Sequence, residues 1–201
     1  MDFADKCYDI FEMSTARYHD TDNVDAHIEN PFAAGSIEYT LFAKNMIDAV
    51  QWHLEDIIRD PEIDPVEALA LKRRIDASNQ ERTDMVEELD SYFRGKYAGV
   101  PVLPDATINT ESPAWALDRL SILALKIYHM EAETARTDAD PAHVTRCADK
   151  LAVLREQRTD LVTAINQLIA DIESGRKYMK VYRQMKMYND PDTNPVLYGN
   201  K

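Results

Sequence analysis

The chain contains an internal duplication, and this constrains its fold more than any other sequence feature. Displacing the sequence by 76 residues aligns Ser36–Tyr92 with Ser112–Leu168 without a gap, and ten of the 57 aligned positions are identical. The identities include signals that start helices, namely Ser36 with Ser112 and Asp64-Pro65 with Asp140-Pro141. Serine and aspartate cap free helix amides, and proline is favoured at the first helical position. Both repeats are therefore predicted to form the same helical unit.

Hydrophobic periodicity predicts that each repeat is a helical hairpin. Apolar residues recur at spacings of three and four, and the 201 residues include only five glycines, so little or no sheet is expected. Two helices joined by a few residues lie antiparallel, and two hairpins that each bury one apolar face close on each other. The predicted fold is all-α: duplicated hairpins form a four-helix bundle around a pseudo-twofold axis, with extra N- and C-terminal helices packed outside.

The whole chain, 1–201, is predicted to be one helical domain. The predicted segments are a first helix at about 3–18, repeat 1 at about 36–92, a linker at about 95–111, repeat 2 at about 112–168, and a basic C-terminal helix at about 176–188. The linker has Gly99, Pro101 and Pro104 and no periodicity, which is typical of a crossover connection.

The net charge of −13 argues against general nucleic-acid binding, which needs a basic surface. The segment from Arg176 to Tyr188 departs from this balance, because it has five positive charges and no acid, interleaved with tyrosine and methionine. Docking of this segment on the acidic body or on a second subunit is favoured over contact with nucleic acid or a membrane surface. A homodimer is therefore one predicted assembly.

Location and redox state are predicted from what the sequence lacks. The N-terminal residues do not resemble a signal peptide, and no apolar run is long enough for a membrane span, so a cytoplasmic location is expected. Cys7 and Cys147 lie far apart within helical patterns, so both are expected to be reduced core thiols.

Four polar residues recur between the repeats and are the candidate ligand-binding residues. They are His53 with His129, Glu55 with Glu131, Arg82 with Arg158, and Asp84 with Asp160. Both arginines fall in the middle of an apolar helix face, where a guanidinium needs anionic partners. The expected partners are Glu55 and Glu131, which lie at one flank of the core face of the first helix in each hairpin. The histidines lie at the other flank of that face. The two aspartates are expected to project from the far side of the arginines' helix.

Two interpretations of this repeated set are open. In one, the charged residues form a buried network that fixes helix register without further purpose, in a structural or partner-binding protein. In the other, both clusters line a polar pocket on the pseudo-twofold axis, where the arginines hold a small anionic ligand such as a phosphorylated compound, and a carboxylate or histidine acts as base or metal ligand. The sequence leaves open whether the protein is an enzyme, which residues are catalytic and whether it uses a cofactor.

A metal site is not expected from the sequence. Helix bundles that hold two metal ions use Glu-x-x-His motifs, but Val50 and Lys126 stand three residues before His53 and His129. The remaining histidines, His19, His27 and His143, are expected to be isolated surface residues.

Three motifs resemble an uncharacterised family of bacterial helical proteins that is catalogued only as a domain of unknown function. The motifs are Asn30-Pro31-Phe32, Gln51-Trp52-His53-Leu54-Glu55-Asp56 and Asn79-Gln80-Glu81-Arg82-Thr83-Asp84. The resemblance covers most of the chain and implies a bacterial, cytoplasmic, helical protein, but it implies no activity. A looser similarity in plan to all-α nucleotide pyrophosphohydrolases lacks their first Glu-x-x-Glu motif at a matching place, so it remains an analogy.

Overall fold

The computed structural model describes residues 2–185, 187 and 190–199, and its regular secondary structure is almost all α-helix. The helices are α1 (Phe3–His19), α2 (Ile37–Ile57), α3 (Pro65–Lys96), α4 (Pro113–Thr134), α5 (Pro141–Glu173) and the short α6 (Pro195–Tyr198). The strands β1 (Thr107–Ile108) and β2 (Lys177–Tyr178) form one parallel pair. The predicted all-α class is confirmed.

The predicted helix starts are confirmed by their capping bonds. The hydroxyl of Ser36 accepts a hydrogen bond from the amide of Tyr39 at 3.1 Å, and the hydroxyl of Ser112 accepts one from Trp115 at 3.4 Å. In the same way, Asp64 and Asp140 cap α3 and α5, each before a proline. Because each cap satisfies an otherwise free helix amide, the duplicated residues account for the duplicated helix starts.

The helices pack as a bundle in which α2 with α3 and α4 with α5 form the two repeated hairpins. Helix α1 lies deeper than the outside position expected for it, since it packs against α2, α4 and α5. The five long helices share one hydrophobic core. Each contributes to this core a side chain that is at most 1% exposed to solvent, for example Phe11, Phe42, Leu89, Leu117 and Ile165. The bundle thus closes around α1 as well as around the two hairpins.

None of the helices in the described ranges has an apolar stretch of the length that a membrane span requires.

The basic C-terminal segment is not the helix predicted for about 176–188. Lys177 and Tyr178 form β2, and residues 179–185 have no regular structure, while Lys186 and Tyr188 lie outside the described residues. The chain turns at Gly175, whose φ is +73°, and the amide of Leu103 in the linker donates to the Gly175 carbonyl at 3.0 Å. Pairing with the linker therefore satisfies the backbone here and replaces helical bonds.

Gly175→Ala is expected to lower the free energy of unfolding by about 1–3 kcal/mol, because φ is positive there and a β-carbon would lie 2.2 Å from the Pro101 carbonyl oxygen. Gly99→Ala is the matched control, since a β-carbon at Gly99 has no atom within 4 Å. Urea unfolding of both variants tests the turn, and an equal effect of the two substitutions would contradict it.

Candidate functional site

The fold brings together two histidines that are equivalent in the two repeats. The ring centroids of His53 on α2 and His129 on α4 lie 5.4 Å apart. The last residue of α1, His19, completes the group, with its ring 5.2 Å from His53 and 5.0 Å from His129. We call these three residues the histidine cluster. The prediction that His19 is isolated at the surface is wrong, because α1 packs between the hairpins and ends beside both rings.

Aromatic side chains cover all three imidazoles. Tyr18 stacks on His53 at 4.8 Å, Tyr128 on His19 at 4.1 Å, and Trp52 on His129 at 4.8 Å with only 9° between the planes. Trp52 and Tyr128 are themselves equivalent positions of the duplication. These contacts restrict rotation of the rings, so the histidine cluster is held in place by packing as well as by the helices.

Hydrogen bonding determines which nitrogen of His19 is free. Its Nδ1 lies 2.7 Å from the carbonyl oxygen of Thr15, one helical turn earlier. Since a carbonyl only accepts, Nδ1 carries the hydrogen and Nε2 presents a lone pair. That Nε2 lies 3.2 Å from Nε2 of His53. A backbone carbonyl that fixes the tautomer in this way is the usual second partner of a metal-binding histidine.

Burial favours the neutral form of His53 and His129. Burial, with His19 and His53 nearby, lowers the pKa of His129 to about 4. Burial and the proximity of His19 likewise lower the pKa of His53. Among the described residues, the buried Nε2 of His129 has no hydrogen-bond partner. Such an unsatisfied buried nitrogen is uncommon and calls for an explanation.

The separations of the nitrogens fit a metal ion. One donor nitrogen of each ring can be chosen so that all three lie within 4.8 Å of one another. Two nitrogens bound to tetrahedral zinc at its usual bond length lie roughly 3.3 Å apart, close to the 3.2 Å between His19 and His53. An oxygen of Asp22 lies 3.9 Å from Nε2 of His53. The backbone of Asp22 is left-handed, with a φ of +47°.

The sequence suggested that Arg82 pairs with Glu55, but Arg82 has other partners in the structure. Its guanidinium bonds both oxygens of Asp118 on α4, at 2.9 and 2.6 Å, and lies 3.2 Å from an oxygen of Asp48 on α2. Glu55 instead pairs with Arg59, one turn along its own helix, at 3.2 Å. The physical reason is that α3 packs against both α2 and α4, so Arg82 reaches buried carboxylates that helix periodicity alone did not identify.

The second arginine has a different environment from the first. Arg158 lies 4.4 Å over the ring of Tyr8 on α1, and its Nε has no hydrogen-bond partner among the described residues. The expected pairing of Arg158 with Glu131 is also wrong, because Glu131 bonds Arg155 at 2.8 Å. The two arginines thus have unlike partners, since α1 lies beside only one of them.

The two repeated aspartates point away from the core, as predicted. Asp84 is exposed and accepts a hydrogen bond from Gln80 at 2.8 Å. Asp160 is also exposed and lines a surface groove together with Arg82 and Asp118. Neither aspartate belongs to the histidine cluster.

A buried ionic network that was not predicted from the sequence crosses the bundle. Lys44 is fully buried and lies between Asp48, on its own helix, and Asp118, whose oxygen is 2.7 Å from Nζ. Arg82 completes a balanced set of two cations and two anions. Burial opposes ionisation of Asp118, but Lys44 and Arg82 outweigh it and hold its pKa below the usual range. The positions equivalent to Lys44, Asp48 and Asp118 in the other repeat are Leu120, Ala124 and Phe42, so a comparison of identical residues found only Arg82.

A pocket of about 410 Å³ lies next to the histidine cluster, between α2, α3 and α4. Trp52 lines it and stacks on His129, so the indole separates the pocket from the imidazoles. Glu55 and Arg82 both line this pocket although they do not pair. The volume is sufficient for a small ligand.

Comparison with known proteins identifies a family but no function. A family model described as "Protein of unknown function (DUF4254)" matches residues 38–181, which include both repeats and two of the three clustered histidines. Neither the comparison with curated proteins nor that with solved structures finds a match.

A double-mutant cycle distinguishes the observed partner of Arg82 from the expected one. Arg82→Met and Asp118→Leu are expected to show a coupling free energy of about 1–3 kcal/mol, because either single change removes the two-pronged contact between the guanidinium and the carboxylate. Arg82→Met and Glu55→Leu are expected to be additive within about 0.5 kcal/mol. Urea unfolding of the single and double variants gives both values, and a larger coupling to Glu55 would contradict the assignment.

Proposed function

We propose that this protein, which belongs to the DUF4254 family of proteins of unknown function, binds a divalent transition-metal ion at the histidine cluster. The observation that carries this proposal is the convergence of His19, His53 and His129 from three helices, with donor nitrogens within 4.8 Å of one another. Neutral imidazole nitrogens suit zinc, copper, iron and nickel better than magnesium or calcium.

A purely structural role accounts less well for the same contacts. Stacked aromatic rings alone would stabilise this end of the bundle, but they give no reason for a buried His129 nitrogen without a partner. Without a metal ion, the two Nε2 atoms at 3.2 Å form a hydrogen bond in which one imidazole donates a hydrogen to the other. A metal ion accepts both lone pairs and takes the place of that proton.

Three histidines leave a coordination position of a tetrahedral ion for water or a small ligand. Closed structural zinc sites use four protein ligands, whereas sites with three protein ligands and one open position support Lewis-acid chemistry or activation of water. The partial exposure of the His53 side chain, 21%, provides access from solvent. The proposed chemical class is therefore metal-assisted binding or conversion of a small molecule.

Binding of an anion by the repeated arginines is a weaker second candidate. The guanidinium of Arg82 already bonds carboxylates, and the neighbouring pocket combines Arg59 and Arg82 with the acids Asp48, Glu55 and Asp56. Such a lining, with three acids against two arginines, does not favour an anion. An anionic ligand would instead be favoured on the metal itself. Homodimer formation and a cytoplasmic location remain predictions from the sequence.

Metal titration of the purified full-length protein tests the proposal. Added Zn²⁺ is expected to bind one equivalent at the histidine cluster and, at a hundredfold excess over Kd, to stabilise the protein by about 2.7 kcal/mol. His19→Phe, His53→Phe and His129→Phe each keep an aromatic ring but remove the donor nitrogen. Each is expected to weaken zinc affinity at the histidine cluster by about a hundredfold or more. The reason is that losing a residue that binds the metal costs more affinity than losing a residue that only hydrogen-bonds to such a ligand.

His27→Phe is the matched control, because His27 is exposed and lies outside the cluster. It is expected to leave the affinity unchanged. Calorimetric titration gives the affinity and stoichiometry, and circular dichroism shows that each variant is folded. Unchanged zinc affinity in folded variants of all three clustered histidines would overturn the proposal.

A further inference from the structure

We infer that a second metal site, separate from the histidine cluster, lies in the α4–α5 hairpin and takes a soft divalent cation such as Zn²⁺. Its donors are Glu133 in the last turn of α4 and His143 and Cys147, one turn apart, near the start of α5. The short connection between the helices places all three side chains on facing surfaces. Their donor atoms lie within 4.8 Å of one another.

The contacts among these donors resemble those of a metal site. Nε2 of His143 lies 2.8 Å from a carboxylate oxygen of Glu133 and 3.4 Å from the sulfur of Cys147. A thiolate, an imidazole and a carboxylate are the three side-chain ligand types that zinc uses, and thiolate selects zinc over magnesium or calcium. A cation at the centre of this triangle would displace the hydrogen between His143 and its neighbours, and Cys147 would release its thiol proton to solvent in order to bind as a thiolate.

Solvent reaches the site from one side. The sulfur-bearing residue Cys147 is only 4% exposed, whereas the side chains of His143 and Glu133 are 38% and 39% exposed. A metal ion can therefore enter past the imidazole and the carboxylate and contact a shielded sulfur. His143 lies at the surface, as expected, but the expectation that it is isolated is wrong, since the hairpin turn brings it against both partners.

Glu133 is available for a metal without loss of a needed ion pair. Arg136 approaches Glu133 at 3.2 Å, but it also forms a two-pronged contact with Asp138 at 3.2 and 2.9 Å. When a cation takes this carboxylate, Asp138 still neutralises Arg136.

The duplicated architecture does not require these three residues. The equivalent positions in the first hairpin are Ile57, Glu67 and Leu71, which cannot form the same donor set. Both hairpins nevertheless have the same turn, with an aspartate cap and a proline at the helix start. The donor set in the second hairpin is therefore an addition to a fold that forms without it.

Cobalt spectroscopy of the full-length protein tests this second site. Co²⁺ bound to a thiolate absorbs in the near ultraviolet by charge transfer, and the chain has only two cysteines. Cys7 is fully buried among apolar side chains, and burial raises its pKa, so Cys147 is the expected source of the signal. The wild-type protein is expected to show this absorption on titration with Co²⁺.

Variants then assign the signal to its ligands. Cys147→Ala is expected to abolish the charge-transfer absorption and remove one equivalent of bound metal, while Cys7→Ala retains both. His143→Gln and Glu133→Gln are expected to weaken Co²⁺ binding at this site at least about tenfold. His129→Phe leaves the thiolate absorption intact, so failure of one site is distinguishable from failure of the other. Absence of thiolate absorption in the wild-type protein, or its persistence in Cys147→Ala, would overturn the inference.

Discussion

The structure depends on a chain of buried polar contacts through the middle of the bundle. Thr15 of α1 donates to Asn45 of α2, which donates to Ser121 of α4, which in turn donates to Asp48. From there the chain continues through Lys44 and Arg82 to Asp118. Because each group would be costly to bury without its partner, these contacts specify how four helices are aligned. Thr15 also accepts the hydrogen bond from His19, so the same alignment places that imidazole.

The candidate site combines a symmetric pair with one asymmetric residue. His53 and His129 meet because the two hairpins face each other, and Trp52 and Tyr128 accompany them for the same reason. The equivalent histidines of the two repeats supply two imidazoles, whereas zinc sites in proteins use three or four protein ligands. The third comes from α1, which lies outside the duplication. An internal repeat thus supplies the scaffold and two donors, and an added helix makes the set sufficient.

Much of the fold could be predicted from the sequence, because capping and periodicity are local. Ser36, Asp64, Ser112 and Asp140 each mark a helix start, and the hairpins follow from the short connections. The basic segment was mispredicted because its apolar spacing is helical, whereas pairing with the linker at Gly175 is a tertiary effect.

The site was only half predictable. The repeat identified His53 and His129, but His19 shares no position with either repeat, and the extension of the buried face of α1 through Thr15 and Tyr18 was the only available signal. The partners of Arg82 depended on how α3 packs against α4, which no single helix pattern contains.

Anomalous diffraction at the zinc absorption edge, recorded from crystals of the zinc-loaded protein, would locate the metal ion. An anomalous peak is expected about 2.0–2.1 Å from one nitrogen of each of His19, His53 and His129, with Nδ1 of His19 still bonded to the Thr15 carbonyl. A zinc-loaded crystal without a peak among these three rings, or with a ring turned away from it, would contradict the account.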